Sequence, residues 1–145
     1  LEAKGRQGMF SRALDAGPSL FVATGTGVAP FRGFIHEAVE ANRTDPLWVL
    51  LGVRSEADLL YAAEFEALAK QHANVRFLPT LSRADGSWRG RTGYVQKHVL
   101  ELWSELEGTP QLYACGVKKM VMDVRELLKT HAGAQRAQLH LESYD

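Results

Sequence analysis

The chain has 145 residues, 46% of them hydrophobic, enough for one buried core and about the size of one domain. Lysine plus arginine equal aspartate plus glutamate at 17 each, so no global field draws the protein to nucleic acid or anionic lipid, and any phosphate binding must be local. Cys115 is the single cysteine, which excludes an internal disulfide, and no apolar run approaches the roughly 20 residues that span a bilayer; a cytoplasmic protein is the expectation.

Residues 1–17 are polar, glycine-punctuated and weakly patterned, and read as an arm. Leu20-Phe-Val-Ala23 is a short apolar strand, followed by glycines and by Pro30 in the first turn of a helix predicted over 31–41. The run from Leu47 to Val53 is almost continuously apolar, the mark of a strand covered on both faces. A helix is predicted over 58–72, then a strand over 75–81 in which Pro79 should occupy an end or an irregular position. The segment from Ser82 to Gly93 reads as a long polar loop, 92–106 as a helix, 111–115 as a strand, 117–131 as a helix and 138–143 as a closing strand. Strands alternating with helices over short links imply an α/β domain, a five-stranded parallel sheet with helices on both faces.

Chemistry enters first at Thr24-Gly25-Thr26-Gly27-Val28-Ala29-Pro30, between the first strand and the first helix. Glycines there let backbone amides approach a pyrophosphate, and the helix N-terminus adds unpaired N–H groups and the positive end of its dipole. The third glycine of the usual dinucleotide motif is missing, so the turn taken alone also fits a tight connection. The second strand ends Gly52-Val53-Arg54, with no carboxylate before Glu56, where a nucleotide with a free ribose diol would want one. Arginines stand instead at 54, 83, 89 and 91, each of which singly also fits a solvated surface charge. Cys115-Gly116 closes the fourth predicted strand at a sheet end where ligands gather, although a buried packing cysteine reads the same way. The five histidines show no metal-ligand spacing, so no metal is expected.

Four segments together carry a resemblance. They are Phe21 to Arg32; Leu51-Gly-Val-Arg-Ser55 with the following Leu59 to Phe65; Tyr113-Ala-Cys-Gly-Val-Lys-Lys-Met120; and Glu142-Ser-Tyr144. In order and spacing they resemble the pyridine-nucleotide half of the ferredoxin-NADP(+) reductase family, whose fold is Rossmann-like. The resemblance runs from Gly5 onward. In that family a flavin-binding barrel with an arginine-x-tyrosine-serine or -threonine motif lies upstream. This sequence has no such motif, and Gly5 to Phe10 looks like the last strand leaving the barrel. The implied organisation is an arm over 1–17 and an NAD(P)-binding domain over 18–145, completed by a flavin domain upstream or on another chain.

The resemblance also implies roles. Thr24, Gly25, Thr26, Gly27, Val28 and Pro30 would form the pyrophosphate turn. Ser82 and Arg83 match the pair that holds the 2′-phosphate of NADP(H), Arg91 matches a further arginine, Arg54 stands where an acid would select NAD(H), and Tyr94 matches a tyrosine that stacks on adenine. Cys115 and Gly116 would lie beside the nicotinamide, with Glu142 near it and Tyr144 stacked on the isoalloxazine of FAD. That tyrosine would have to move before nicotinamide could stack, and Asp145 extends past the point where plant-type members stop. Apart from the resemblance, Trp88 in its polar loop is less easily explained as core and is open to covering the adenine or meeting the flavin domain, and Lys118 and Lys119 to approaching the nucleotide or an acidic carrier, with a solvated helix terminus as their default. The implied activity is hydride exchange between NADP(H), with NAD(H) as the alternative, and FAD, electrons passing to or from ferredoxin or flavodoxin. Two other readings stand beside it: the NADH-dependent reductase component of an oxygenase, and a nucleotide-binding module without catalysis.

Overall fold

Alternation along the first strand decides the architecture. In β1 (Ser19–Thr24) Leu20 and Val22 face one side of the sheet, Phe21 and Ala23 the other, and all four are fully buried. A strand with no polar face needs cover on both sides. The computed structural model, which describes residues 10–144, supplies that cover with helices on each side. Residues 1–9 of the expected arm, with the barrel-strand reading of Gly5 to Met9, and Asp145 lie outside the described residues.

After β1 a single 3-10 turn over Gly25–Val28 runs into α1 (Ala29–Glu40), followed by β2 (Leu47–Val53), α2 (Ala62–Gln71), β3 (Val75–Leu81), β4 (Arg91–Thr92), α3 (Val99–Glu105), β5 (Gln111–Gly116), α4 (Lys118–Ala132) and β6 (Leu139–Ser143). All pair in parallel, in the order β4-β3-β2-β1-β5-β6. The parallel α/β fold is therefore as expected, with six strands rather than five. The sixth, β4, is two residues at the border of the predicted loop and the predicted third helix, too short to show any period.

One core lies under α1 and α2, where Phe31, Ile35 and Phe65 pack on Phe21, Val49 and Leu51. The other lies under α3 and α4, where Leu102, Met120 and Val124 meet Leu20, Val22 and Leu112. Each fully buried side chain of this size stabilises the fold by about 1.5–3 kcal/mol. α1 stops where Asn42 takes a left-handed conformation and the Arg43 amide reaches back to the Ala38 carbonyl at 2.9 Å. The described part of the arm packs on this domain: Phe10 meets Phe31, Phe34 and Tyr113, and Arg12 donates to Ser19 Oγ and the Gly17 carbonyl.

Three sequence expectations shift. The second helix begins at Ala62, not Asp58, because Ser55 and Asp58 close a separate 3-10 turn, with the Ser55 amide donating to Asp58 Oδ2 at 3.3 Å. The third begins at Val99 because Thr92 belongs to β4 and Val95–Lys97 form another 3-10 turn. Pro79 sits inside a regular β3, paired with Leu51. Ser82 donates toward β2 and the Leu81 carbonyl accepts from Gly93 on the β4 side. By the alternation of a parallel strand, Pro79 faces that same outer side, where β4 pairs only with Thr80 and Leu81 and no ladder bond is lost.

Candidate functional site

The sheet order reverses direction between β1 and β5, and the crossovers to α1 and α4 diverge at that point. A cleft of about 590 Å³ opens there, along the carboxyl ends of the strands. It is lined by Thr24, Gly25 and Thr26 at the end of β1, Gly52, Val53 and Arg54 at the end of β2, Ser82 after β3, Gly93, Tyr94 and Val95 after β4, Val117 after β5 and Tyr144 after β6, with Asp58 and Leu60.

The turn at its inner end is held from below. A Cβ on Gly27 would stand 2.2 Å from the Cys115 carbonyl oxygen, and one on Gly116 would stand 2.1 Å from Thr24 Oγ1. Both glycines serve close approach between the turn and β5. Thr24 Oγ1 accepts the Val117 amide at 3.2 Å, which binds the end of β1 to the start of α4 and leaves the hydroxyl proton of Thr24 to donate elsewhere. The first amides of a 3-10 turn lie outside its own hydrogen-bond ladder, and here they belong to Gly25 and Thr26, which line the cleft. Val28 is buried in the core and Pro30 occupies the first turn of α1, so both shape the turn without lining the cleft.

At the outer end, the Arg83 amide donates to the Arg54 carbonyl at 2.8 Å. Both arginines are exposed, and among the described residues neither has a carboxylate partner. Arg54 and Ser82 line the cleft; Arg83 follows directly. Asp58, the one carboxylate among the lining residues, has its Oδ2 engaged by the Ser55 amide and hydroxyl, the latter at 3.1 Å. Arg91 is placed differently from these. Its guanidinium pairs with Glu101 at 3.2 Å and donates to His98 Nδ1 at 3.1 Å, and it does not line the cleft. Tyr94 stands 71% exposed on the cleft wall. Trp88 turns back on its own loop, packing on Gly90 and donating Nε1–H to the Arg91 carbonyl at 2.7 Å. Lys119 pairs with Asp123 in its own helix.

Tyr144 crosses the inner end. Its amide donates to the Gly116 carbonyl and its hydroxyl to the Thr24 carbonyl, both at 3.1 Å, so the ring lies over Gly25. Beneath, Cys115 and Glu142 are paired positions of β5 and β6, so their side chains share a face. Burial, and next the negative charge of Glu142, push the Cys115 thiol up to about 11. A thiol so far from ionising fits a packing or positioning group and not a nucleophile. The fold thus gathers Thr24, Gly25, Thr26, Arg54, Ser82, Tyr94 and Tyr144 around one cleft, with Arg83 at the rim; Cys115, Gly116 and Glu142 do not line it, Gly116 accepting the Tyr144 amide and Cys115 packing in the core under α1.

Sequence reasoning missed Gly52, Val53, Val95 and Val117, apolar or small residues whose only signal was a place at or near strand ends, and Leu60, just before α2. It also missed Asp58, and His98, whose place among Val95, Val99 and Leu102 marks a core position without showing what the ring bonds.

Residues 21–126 match the family model described as the oxidoreductase NAD-binding domain. A ferredoxin–NADP reductase B of Sorangium cellulosum is 46% identical over 153 aligned positions, covering all of this chain and 62% of that protein. The crystal structure of the Amycolatopsis cytochrome P450 reductase GcoB superposes with a TM-score of 0.79 at 26% identity over 92% of this chain and 40% of that one. A ferredoxin NADP+ reductase from Neisseria gonorrhoeae with bound FAD and NADP shares the fold with a TM-score of 0.69, at 22% identity over 88% of this chain and 56% of that one. The chain spans less than two thirds of the length of each.

Proposed function

Because the chain belongs to the oxidoreductase NAD-binding domain family, we propose that its cleft binds NADP(H) as the nucleotide half of a flavin-dependent reductase of the ferredoxin–NADP reductase kind. The observation that carries this reading is an amide-rich turn, Gly25–Thr26, in one cleft with Arg54 and with Arg83 at its rim, two arginines that have no carboxylate partner among the described residues. A dinucleotide needs that arrangement: backbone donors for the pyrophosphate and guanidiniums for the 2′-phosphate.

In this reading Thr24 and Thr26 donate hydroxyls to the pyrophosphate, Ser82 joins the arginines on the 2′-phosphate, and Tyr94 covers the adenine. Arg91, already paired with Glu101, meets the phosphate only by leaving that carboxylate. Cys115 and Glu142 bound the nicotinamide pocket below Tyr144, whose ring has to swing off Gly25 to admit it. FAD and the nicotinamide supply the hydride transfer, and the chain's own residues hold donor and acceptor in register and exclude water. The relatives are longer than this chain, which supports a flavin-binding domain upstream or on another chain; residues 1–17 would lead from it and 18–145 form the nucleotide domain. A ferredoxin-like carrier is the partner that fits the Sorangium relative's name; a flavodoxin-like carrier and a cytoplasmic setting belong to the same proposal. Among the described residues no helix is long and apolar enough to cross a membrane.

Calorimetric titration with NADP+ and NAD+ in low-phosphate buffer tests the reading. NADP+ should bind at least about tenfold more tightly, the effect of one charge-assisted contact to the 2′-phosphate. Tighter NAD+ binding would move the assignment to an NADH-dependent oxygenase reductase, with Asp58 released from Ser55 to hold the ribose diol. Failure to bind either would overturn it.

A further inference from the structure

His98 stands just outside the cleft, 7% exposed, and every polar neighbour dictates its state. Its Nε2 lies 2.8 Å from the Thr92 carbonyl oxygen, which only accepts, so Nε2 carries a proton. Its Nδ1 lies 3.1 Å from Arg91 Nη1, which only donates, so Nδ1 is bare. Thr80 Oγ1, 3.1 Å from the same Nε2, donates its own proton to the Gly93 carbonyl at 2.8 Å. The Gly93 amide in turn donates to the Leu81 carbonyl at 2.9 Å, and Gly93 has a left-handed φ of +96°. One imidazole thereby fixes Thr92 and, through Thr80, Gly93, the residue that hands the chain to Tyr94 on the cleft wall.

We infer that His98 is a positioning residue for the Gly93–Tyr94 wall of the nucleotide site, and that the Arg91 side of its hold, the hydrogen bond accepted by Nδ1, requires the neutral Nε2–H tautomer. The inference rests on the nucleotide reading of the cleft for its functional consequence. A second proton would enter at Nδ1, against the Arg91 guanidinium, and would break the hydrogen bond that Nδ1 accepts. The charged groups around the ring are Arg91 from β4, Lys97 from the 3-10 turn and Glu101 from α3, while β3 presents only the uncharged Thr80. Burial is the largest influence against the imidazolium and Arg91 and Lys97 add to it, while the Thr92 carbonyl and Glu101, already shared with Arg91, favour it. Acidification thus loosens the wall from within, although no group in the cleft itself has changed.

The experiment has two readouts on the chain, with His98→Gln and His98→Leu. In the first, ring nitrogens and the Gly93 and Tyr94 amides are followed by NMR in the free protein from about pH 8 to about pH 5, the range of histidine titration. The expected result is a bare Nδ1 at neutral pH, and Gly93 and Tyr94 shifts that follow the His98 midpoint and are absent from His98→Gln. In the second, NADP+ affinity is compared at the two ends of the range. Gln keeps a donor for Thr92 but offers no titration, so it should bind a few-fold more weakly than wild type at high pH and lose its deficit at low pH. Leu should be weaker than Gln throughout by about fivefold, the effect of one further lost hydrogen bond. Comparing variants with one ligand cancels the titration of the 2′-phosphate. A protonated Nδ1 at neutral pH, or wall amides indifferent to the His98 titration, overturns the inference. Wall amides that follow His98 in a chain binding neither nucleotide support the positioning of the wall and overturn the proposed function instead.

Discussion

The amide of Arg83 donates to the carbonyl of Arg54 at 2.8 Å, which extends the contact of β2 and β3 past the last residues of both strands. Two cations without carboxylate partners among the described residues therefore stand on adjacent chain ends at the rim of the cleft. A doubly charged phosphate is the ligand this suits. Arg83→Ala should weaken NADP+ binding at least about tenfold, near 1.4 kcal/mol, and leave NAD+ almost unchanged. Equal losses for both nucleotides in calorimetry would remove Arg83 from the 2′-phosphate site.

The Tyr144 ring closes the other end of the same cleft with one side-chain hydrogen bond, to the Thr24 carbonyl. Breaking it costs about 0.5–1.5 kcal/mol. Tyr144→Ser should therefore tighten nucleotide binding by about three- to tenfold in titration, since the ring no longer has to be displaced. Weaker binding would mean that the ring supports the ligand instead of occupying its place.

Gly27 is a fixed point of the turn, because an added Cβ would meet backbone, the Cys115 carbonyl, which no side-chain rotation relieves. Gly27→Ala should destabilise the chain by at least about 2 kcal/mol, an overpacking effect. Thermal unfolding should show a drop of about 6 °C or more. An unchanged melting temperature would show that the turn and β5 can part without cost.

Two histidines set the acid side of the stability curve. Burial pushes both His98 and His140 below the ordinary imidazole value. The unfolded chain binds protons near the ordinary imidazole value of 6.5 where the folded chain resists them, so this stability is present above about pH 6.5 and is lost as pH falls toward the folded values. Melting temperature should decline on that limb, and more gently in His98→Gln. A decline of the same slope in the variant would assign the effect elsewhere.

Cys115 should resist alkylation. With the thiol pushed from 9.0 up to about 11, its thiolate fraction near pH 8 falls about a hundredfold below that of an unperturbed cysteine. Burial of the sulfur adds to this. Labelling by iodoacetamide at the rate of a free thiol would contradict the geometry.

What the sequence made legible was whatever depends on the two faces of a strand. The ranges of β2 and β3 were readable to the residue, because Leu47 to Leu51 is continuously apolar and Val75 to Leu81 alternates. The inner end of the cleft was legible too, since the Thr24–Pro30 turn and Cys115-Gly116 occupy strand ends by their order alone. The outer wall was not. Thr92 reads as helix until its pairing with Leu81 is known, and Arg91 reads as a phosphate ligand until Glu101 and His98 are seen beside it. Those partners lie seven and ten positions further along, a separation at which no local pattern reports contact. Trp88 was unreadable for the same reason, its indole proton going to a backbone carbonyl in its own loop.

The short reach of β4 has a consequence for how such a chain can vary. Only Thr80 and Leu81 pair with it, and the loop before it bends at Gly86, beside which space is open. Chain added there would enter neither core and would disturb no ladder bond, and even doubling a loop costs only about 0.6 kcal/mol in closure entropy. The floor of the cleft is built on strands that tolerate no slip, whereas its outer rim pairs with the sheet through two residues. Descendants of this sequence are thus free to lengthen the rim and change what it touches while the floor of the cleft keeps its form.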